Sequence, residues 1–399
     1  MAIKTYFKAE DLSHNAIVVV GYNRIASIKR LLSSLTKACY DDEVPLVISI
    51  DRSGNEELYA YVNDFSWEHG NKYVIIQEER RGLKEHIYRC GDLSQYFKSI
   101  TILEDDLFVS PYFYQYVKQT VEKYGDNPNV AGISLYRNEF NGFNSLPLYF
   151  LNIGHDVFAY QSTSTWGETF TYDMWKPFRK WLEQWNGDFS NVDMYQTIKN
   201  WDKAWSKYFE AYLILENKYF IYPYLSVSTN NNDAGTHVTS VDINNTYQTE
   251  LLYGERKFIL PEFEHLVKYD TYAQCELLKE HIGLDCIAID LNGNRENVAQ
   301  FRYLLTIKPQ NYKIVKSYGL RLRPMELNVL LDIPGQEIYL YDTSLSATNK
   351  HSHSVRRLLA DYYLREYSSK LVYNKAFHYI IKYIKSWLQK CWRKLNKFM

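Results

Sequence analysis

Apolar residues fall along the first 135 positions in short runs, each stopped by a glycine or a polar side chain. Residues 16–20 are apolar and lead to Gly21-Tyr22-Asn23-Arg24; residues 44–50 lead to Asp51, residues 73–76 to Gln77, and residues 100–103 to Glu104-Asp105-Asp106. Runs that are short, continuous and β-branched predict buried strands. Between the first two, Ile28, Leu31, Leu32 and Leu35 share one helical face and Lys29 and Arg30 occupy the other. Residues 55–65 and 83–97 predict further helices. Strands that alternate with helices imply a parallel sheet with right-handed crossovers. The polar strand ends (Asn23 and Arg24, Asp51, Glu104 to Asp106) would then gather on one sheet edge, where open α/β sheets bind their ligands.

Later patterning is less regular. Ser110-Pro111 predicts a helix start, with serine as cap and proline in the first turn. Residues 130–134 predict a strand, residues 137–164 are polar and aromatic-rich, and Pro177 either interrupts or begins a helix. Tyr208, Phe209, Tyr212 and Leu213 share a helix face, residues 220–226 predict a strand, and an Asn-rich loop covers residues 229–237. Residues 261–265 look like the end of this region. A helix over 272–281 and strands over 286–290 and 337–341 predict a small α/β module of unread role.

Composition narrows the class. Of 399 residues, 46% are hydrophobic and 23% charged, enough apolar content for a sizeable core. A formal net charge of −1 argues against a nucleic-acid binder. The charge is unevenly spread: the last thirty residues hold eight Lys or Arg and no acid, leaving 38 basic against 47 acidic residues before them. Five cysteines without paired metal-ligand spacing suit a reducing compartment. Residues 1–15 lack a signal-peptide core and no window is apolar enough to span a membrane, so a cytoplasmic protein, peripheral at the cytoplasmic membrane face, is expected. Neither G-x-G-x-x-G nor a P-loop occurs.

The triple acid carries the sharpest chemistry. Three adjacent carboxylates at a buried strand end repel one another and lose hydration. A divalent cation with oxygen ligands relieves both penalties, and Mg²⁺ or Mn²⁺ commonly takes one or two carboxylates plus a substrate diphosphate. A solvated acidic turn is the alternative, against which the apolar flanks on both sides weigh.

With Arg24, Asp51, Glu104-Asp105-Asp106, Trp166 and Trp201-Asp202 in view, the first 265 residues or so resemble a GT-A-fold glycosyltransferase. The likeness is to N-acetylglucosaminyltransferase I and to bacterial family 2-like enzymes of polysaccharide and lipopolysaccharide assembly. It implies a Rossmann-like mixed sheet flanked by helices over residues 1–265, followed by the small α/β module (266–348) and a basic helical tail (349–399). It also implies that Asp106 holds Mn²⁺ or Mg²⁺ with Asp105 close by, near the ribose and the metal waters, and that Glu104 lies near the donor sugar. Asp51 would meet the uracil edge, Arg24 and His86 the nucleotide, and Thr236, in Gly235-Thr236-His237, the diphosphate. Taken alone, His86 reads as a helix-surface histidine. Trp201 would pack on the donor sugar and Asp202 would take the acceptor proton, with Glu168, after Trp166-Gly167, as the competing base. Lys203 stands where the eukaryotic enzymes have a second acid, and Glu168 where bacterial relatives more often have tryptophan.

The expected activity is metal-dependent, inverting transfer from a UDP-sugar to a glycan or lipid-linked acceptor. A sugar-phosphate nucleotidyltransferase is the alternative, though Gly21-Tyr22-Asn23-Arg24 is a poor phosphate loop; a non-catalytic glycan-assembly partner is the other. In the tail, Tyr373, Ala376, Phe377, Ile380, Ile384, Trp387 and Leu388 share a helix face opposite Lys375, His378, Lys382 and Lys385. That pattern suits an anionic membrane surface, or a helix docked on the body or a partner.

Overall fold

A computed structural model describes residues 7–233, 247–295, 298–351 and 354–395, with side chains as far as 388 in the last stretch. The first strands lie where the apolar runs predict them: β1 (Asn15–Gly21), β2 (Leu46–Ile50), β3 (Lys72–Ile76) and β4 (Ser99–Glu104). All four are parallel, and β1, flanked by β2 and β4, is buried along its whole length. A strand covered on both faces has no polar side to show, hence the unbroken apolar run. Helix α1 (Ile25–Thr36) buries Ile28, Leu31, Leu32 and Leu35 against the sheet. Each such side chain contributes about 1.5–3 kcal/mol by leaving water. Asn55 caps α2 (Glu56–Asp64) by accepting from the Leu58 N–H, and α3 (Leu83–Gly91) stops short of the predicted Phe97, giving way to a 3₁₀ turn.

After β4 the chain turns through the acids into β5 (Leu107–Val109). Helix α4 (Phe113–Tyr124) starts two residues beyond Pro111, and β6 (Val130–Ser134) follows. A two-residue pair, β7 (Phe140–Asn141) and β8 (Leu146–Pro147), precedes β9 (Val157–Tyr160) and β10 (Glu168–Phe170). Thr171 caps α5 (Tyr172–Gln184), which carries Pro177 in its interior. The short α6 (Gln196–Lys199), then α7 (Trp205–Leu215), β11 (Tyr219–Pro223), β12 (Ser228–Asn230) and β13 (Lys268–Tyr269) complete the main body. The nine-stranded sheet runs β13-β9-β11-β6-β10-β4-β1-β2-β3, while β12 and β5 form a separate pair. β10 lies antiparallel between β4 and β6 and ends the all-parallel half. β13, beyond the boundary expected at 265, adds the far edge.

The small module holds α8 (Leu277–Ile282), β14 (Ile287–Asp290), β15 (Tyr303–Thr306), β16 (Tyr312–Tyr318), α9 (Glu326–Leu330) and β17 (Ile338–Ser346), with its sheet ordered β14-β15-β17-β16. Helices α10 (Val355–Leu364) and α11 (Ser369–Leu395) follow. A mixed α/β sheet flanked by helices is the architecture that the sequence resemblance implied, and the module and terminal helix after it are those that the residue pattern predicted.

Candidate functional site

Three strand ends converge at the carboxyl edge of the parallel half. β1 and β4 are neighbours in register, Val20 opposite Glu104, so Arg24, at the cap position of α1, meets the acids directly. Its Nη2 donates to Asp105 Oδ1 and, at 3.2 Å, to Asp106 Oδ2, while Nε reaches Asp105 Oδ2 at 3.3 Å. The guanidinium thus bridges both aspartates. Burial disfavours its charge, but Asp105 and Asp106 more than offset that and hold its pKa above the usual arginine value.

Negative charge remains in excess at this corner. Burial, and then the charges of Asp106 and Asp105, push Glu104 up to about 8. Burial lifts Asp105 to about 6 in spite of Arg24. With Glu104 largely protonated near neutral pH, one arginine still faces two aspartates, and the Asp106 side chain keeps 20% of its surface open to solvent.

The backbone of this corner is tied to the Asn-rich loop: the Asn231 N–H donates to the Asp106 carbonyl (2.8 Å), beside the pairing of β12 with β5. Asp233 is gripped by both terminal nitrogens of Arg30. Burial raises the Asp233 pKa, but the hydrogen bonds from Arg30 and Ser27 outweigh it and hold the group below the usual carboxylate value. Neither Arg30 nor Asp233 stands out in the sequence. Arg30 sits on the polar face of an amphipathic helix, and its partner lies 203 positions away.

Asp51, one residue past β2, is 4% exposed. Its Oδ1 accepts from the Arg52 and Arg81 N–H groups (2.9 and 2.8 Å) and its Oδ2 from Gly82 N–H (2.9 Å). In this state Asp51 shapes the loop before α3. That loop turns at Gly82, whose φ of +75° is a region where a side chain is strained.

His86 departs from both of its sequence readings. It is 2% exposed, its Nε2 lies 2.7 Å from Ser49 Oγ on β2, and burial lowers its pKa to about 4. It is a neutral interior imidazole under the sheet, neither a helix-surface group nor a side chain open to a nucleotide. Glu168 is also corrected. It lies on β10 beside β4, 1% exposed, and neither carboxyl oxygen has a hydrogen-bond partner of good geometry. Burial, and then the Glu104 charge, raise its pKa well above the carboxylate range, opposed by the Gly167 N–H. A carboxyl kept neutral and sealed from solvent does not act as a general base.

Trp166 lies close to the acid hairpin. Its carbonyl accepts from Ser228 Oγ on β12 (2.6 Å), and its ring is edge-on to Tyr136 (4.7 Å) and tilted against Tyr247 (4.8 Å). Trp201 and Asp202 are exposed in the loop between α6 and α7, and Lys207 Nζ folds that loop back by donating to the Lys199 and Trp201 carbonyls (2.6 and 3.0 Å). Among the described residues no hydrogen bond or ion pair joins Asp202 to the acid corner. Gly235, Thr236 and His237 lie outside the described residues.

The donor chemistry of the corner suits a hard cation held jointly with a ligand. Asp105 and Asp106 supply carboxylate oxygens, and Mg²⁺ and Mn²⁺ keep positions for phosphate oxygens and water. Among the described residues no group of three or more His, Cys, Asp or Glu side chains could hold a metal ion by itself. The residues present fit a shared cation, not an all-protein cage.

Fold and site together define an α/β protein whose acidic, arginine-bridged corner lies at the carboxyl edge of a parallel half-sheet. No known family model matches the chain, and no curated protein does. Among solved structures it is similar to S. aureus TarS, at 13% identity and a TM-score of 0.35, covering 54% of this chain and 36% of that one. For S. aureus TarS 1–349 in complex with UDP-GlcNAc the values are 12% and 0.38, covering 58% and 62%. For GalNAc-T7 with UDP, GalNAc and Mn²⁺ they are 12% and 0.36, covering 54% and 43%. The matched part spans between 36% and 62% of the length of those three chains.

Proposed function

We propose that this chain is a metal-dependent, inverting glycosyltransferase that moves a sugar from a UDP-sugar to a hydroxyl of a glycan or lipid-linked acceptor in surface-polysaccharide assembly. The observation that carries the reading is the corner in which Arg24 bridges Asp105 and Asp106 beside the half-buried Glu104. Such excess negative charge at a strand end invites a cation, and the cation brings an anionic ligand with it.

Asp106, the more open of the two aspartates, holds Mn²⁺ or Mg²⁺ with Asp105 beside it. When bound, the cation neutralises charge that builds on the departing nucleotide diphosphate. Arg24 keeps the two carboxylates in place and offers its positive charge to a phosphate. Asp51 organises the loop on which the base of the nucleotide rests. Trp166 and Trp201 supply aromatic faces for sugar rings, with Thr236 at the diphosphate. Asp202, exposed in the loop between α6 and α7, takes the acceptor hydroxyl proton. Attack opposite the diphosphate then inverts the anomeric centre.

A thermal-shift screen of UDP-sugars with and without Mn²⁺ tests the assignment. A metal-dependent rise in melting temperature is expected, and it disappears in Asp106→Ala. Turnover should release UDP; release of pyrophosphate from a nucleoside triphosphate would instead indicate a nucleotidyltransferase. Binding without any turnover would indicate a non-catalytic partner.

A further inference from the structure

Helix α11 has an unpartnered apolar face. Apart from the half-buried Val372, every described side chain from Ser369 to Leu388 is exposed. Among them are Tyr373 at 67%, Phe377 at 52%, Ile380 at 55%, Ile384 at 48% and Trp387 at 56%. At 100° per residue these five, with Ala376, Tyr383 and Leu388, span an arc of about 140°. Lys375, His378, Lys382 and Lys385 lie opposite, with Tyr379 and Ile381 at the flanks.

Two features decide what covers this face. The first is charge: residues 370–399 hold eight Lys or Arg and no acid, so a second copy of the helix would bring like charges together with no carboxylate to pair them. The second is shape. A two-helix seam uses a narrow stripe of two positions in seven, whereas this arc is broad and carries tyrosine and tryptophan, whose polar tips prefer a water boundary. Broad apolar arcs opposite lysines are the pattern of helices lying in the headgroup layer. A 27-residue helix is also of the length such helices have, and no helix among the described residues is long and apolar enough to cross a membrane.

We propose that α11 lies in the plane of an anionic phospholipid bilayer, with Phe377, Ile380, Ile384, Trp387 and Leu388 inserted and Lys375, Lys382 and Lys385 facing the headgroups. The end of α10, just before α11, is fixed to the module. Arg323 pairs with Glu366 and donates to the Tyr362 carbonyl, the Tyr362 hydroxyl donates to the Leu322 carbonyl (3.0 Å), and Arg365 Nη1 donates to the Arg321 carbonyl (2.9 Å). This inference does not depend on the chemistry proposed for the acid corner.

Flotation of the full chain with phosphatidylcholine vesicles, with and without phosphatidylglycerol, tests it. Binding to the mixed vesicles is expected, weakening as salt rises. Lys382→Gln and Lys385→Gln should each lower affinity about fivefold. Phe377→Ser with Trp387→Ser should abolish flotation while the melting temperature stays unchanged, because neither side chain packs on the body. Equal binding to neutral vesicles would overturn the proposal. So would failure to float, whether the chain sediments as a monomer or as a concentration-dependent dimer, which would give the face to a second copy.

Discussion

Two arginines in this molecule each bridge two aspartates, and the surroundings give them opposite roles. Arg24 holds Asp105 and Asp106 at the sheet edge; Arg295, at the junction of the module and the main body, holds Asp270 and Asp193. The Arg295 side chain is 8% exposed, between Asp270 at 10% and Asp193 at 40%, whereas Arg24 is 25% exposed, between Asp105 at 5% and Asp106 at 20%. Asp270 Oδ1 also accepts from the Tyr272 and Gln274 N–H groups (both 3.0 Å), and the Arg295 guanidinium lies 4.4 Å over the Tyr272 ring. Both terminal nitrogens of Arg295 are taken up by carboxylates, and the nearby third acid, Asp290, accepts from the Asn294 and Arg295 N–H groups (2.7 and 3.0 Å), so the junction is architectural. At the sheet edge two aspartates share one arginine, while Glu104, pushed up to about 8, and the buried Glu168 are held protonated near neutral pH. What separates a ligand site from a staple here is an arginine open to solvent at the carboxyl edge of the sheet, not the presence of an arginine–aspartate bridge.

That contrast is breakable, and the largest effect should come from the open corner. Asp106→Asn should remove Mn²⁺-dependent binding of UDP, read by calorimetry, and leave the urea midpoint within experimental spread. Asp202→Asn should keep donor binding and lower kcat about 10²–10⁴-fold, the usual worth of a general base; an unchanged kcat would assign the proton to another group. At the closed junction, Arg295→Met leaves Asp270 buried and unpaired. Urea unfolding should show a loss of about 3–5 kcal/mol, and a loss below about 1 kcal/mol would mean the junction is not sealed.

His86 sharpens the comparison through pH. Its folded pKa, about 4, lies below the unfolded value near 6.5, so the unfolded chain takes up the proton first as pH falls. The stability from keeping His86 neutral is complete above pH 6.5 and is lost between 6.5 and 4. It amounts to about 3 kcal/mol, and His86→Gln should flatten that part of the stability–pH curve. The smallest effect should come from an ion pair with no burial to amplify it: Arg89→Ala, which breaks the exposed contact with Glu85, should cost under about 0.5 kcal/mol.

The legible parts of the fold share one physical trait. β1, β2 and β4 are buried on both faces, so they read as apolar runs whose ends fall where polarity begins. β10 and β13 span only three and two residues, too short for any period, and their places follow from pairing with distant strands. Pro177 sits inside α5 because the Thr171 cap and the burial of Met174, Trp175 and Phe178 hold the helix together across it. At the site, Arg24 and the acids could be read because adjacent strand ends must meet. The Arg30–Asp233 pair, the interior place of His86 and the sealing of Glu168 could not, since each depends on which side of a sheet or helix the completed fold covers.

The measurement that bears most directly on the acid corner is a titration of UDP into the full chain with and without Mn²⁺, repeated with Asp106→Asn. Binding that needs both the metal and the Asp106 carboxylate is the predicted result. UDP binding that is the same with and without Mn²⁺, or that survives the substitution, would contradict a cation seated between Asp106 and a nucleotide diphosphate.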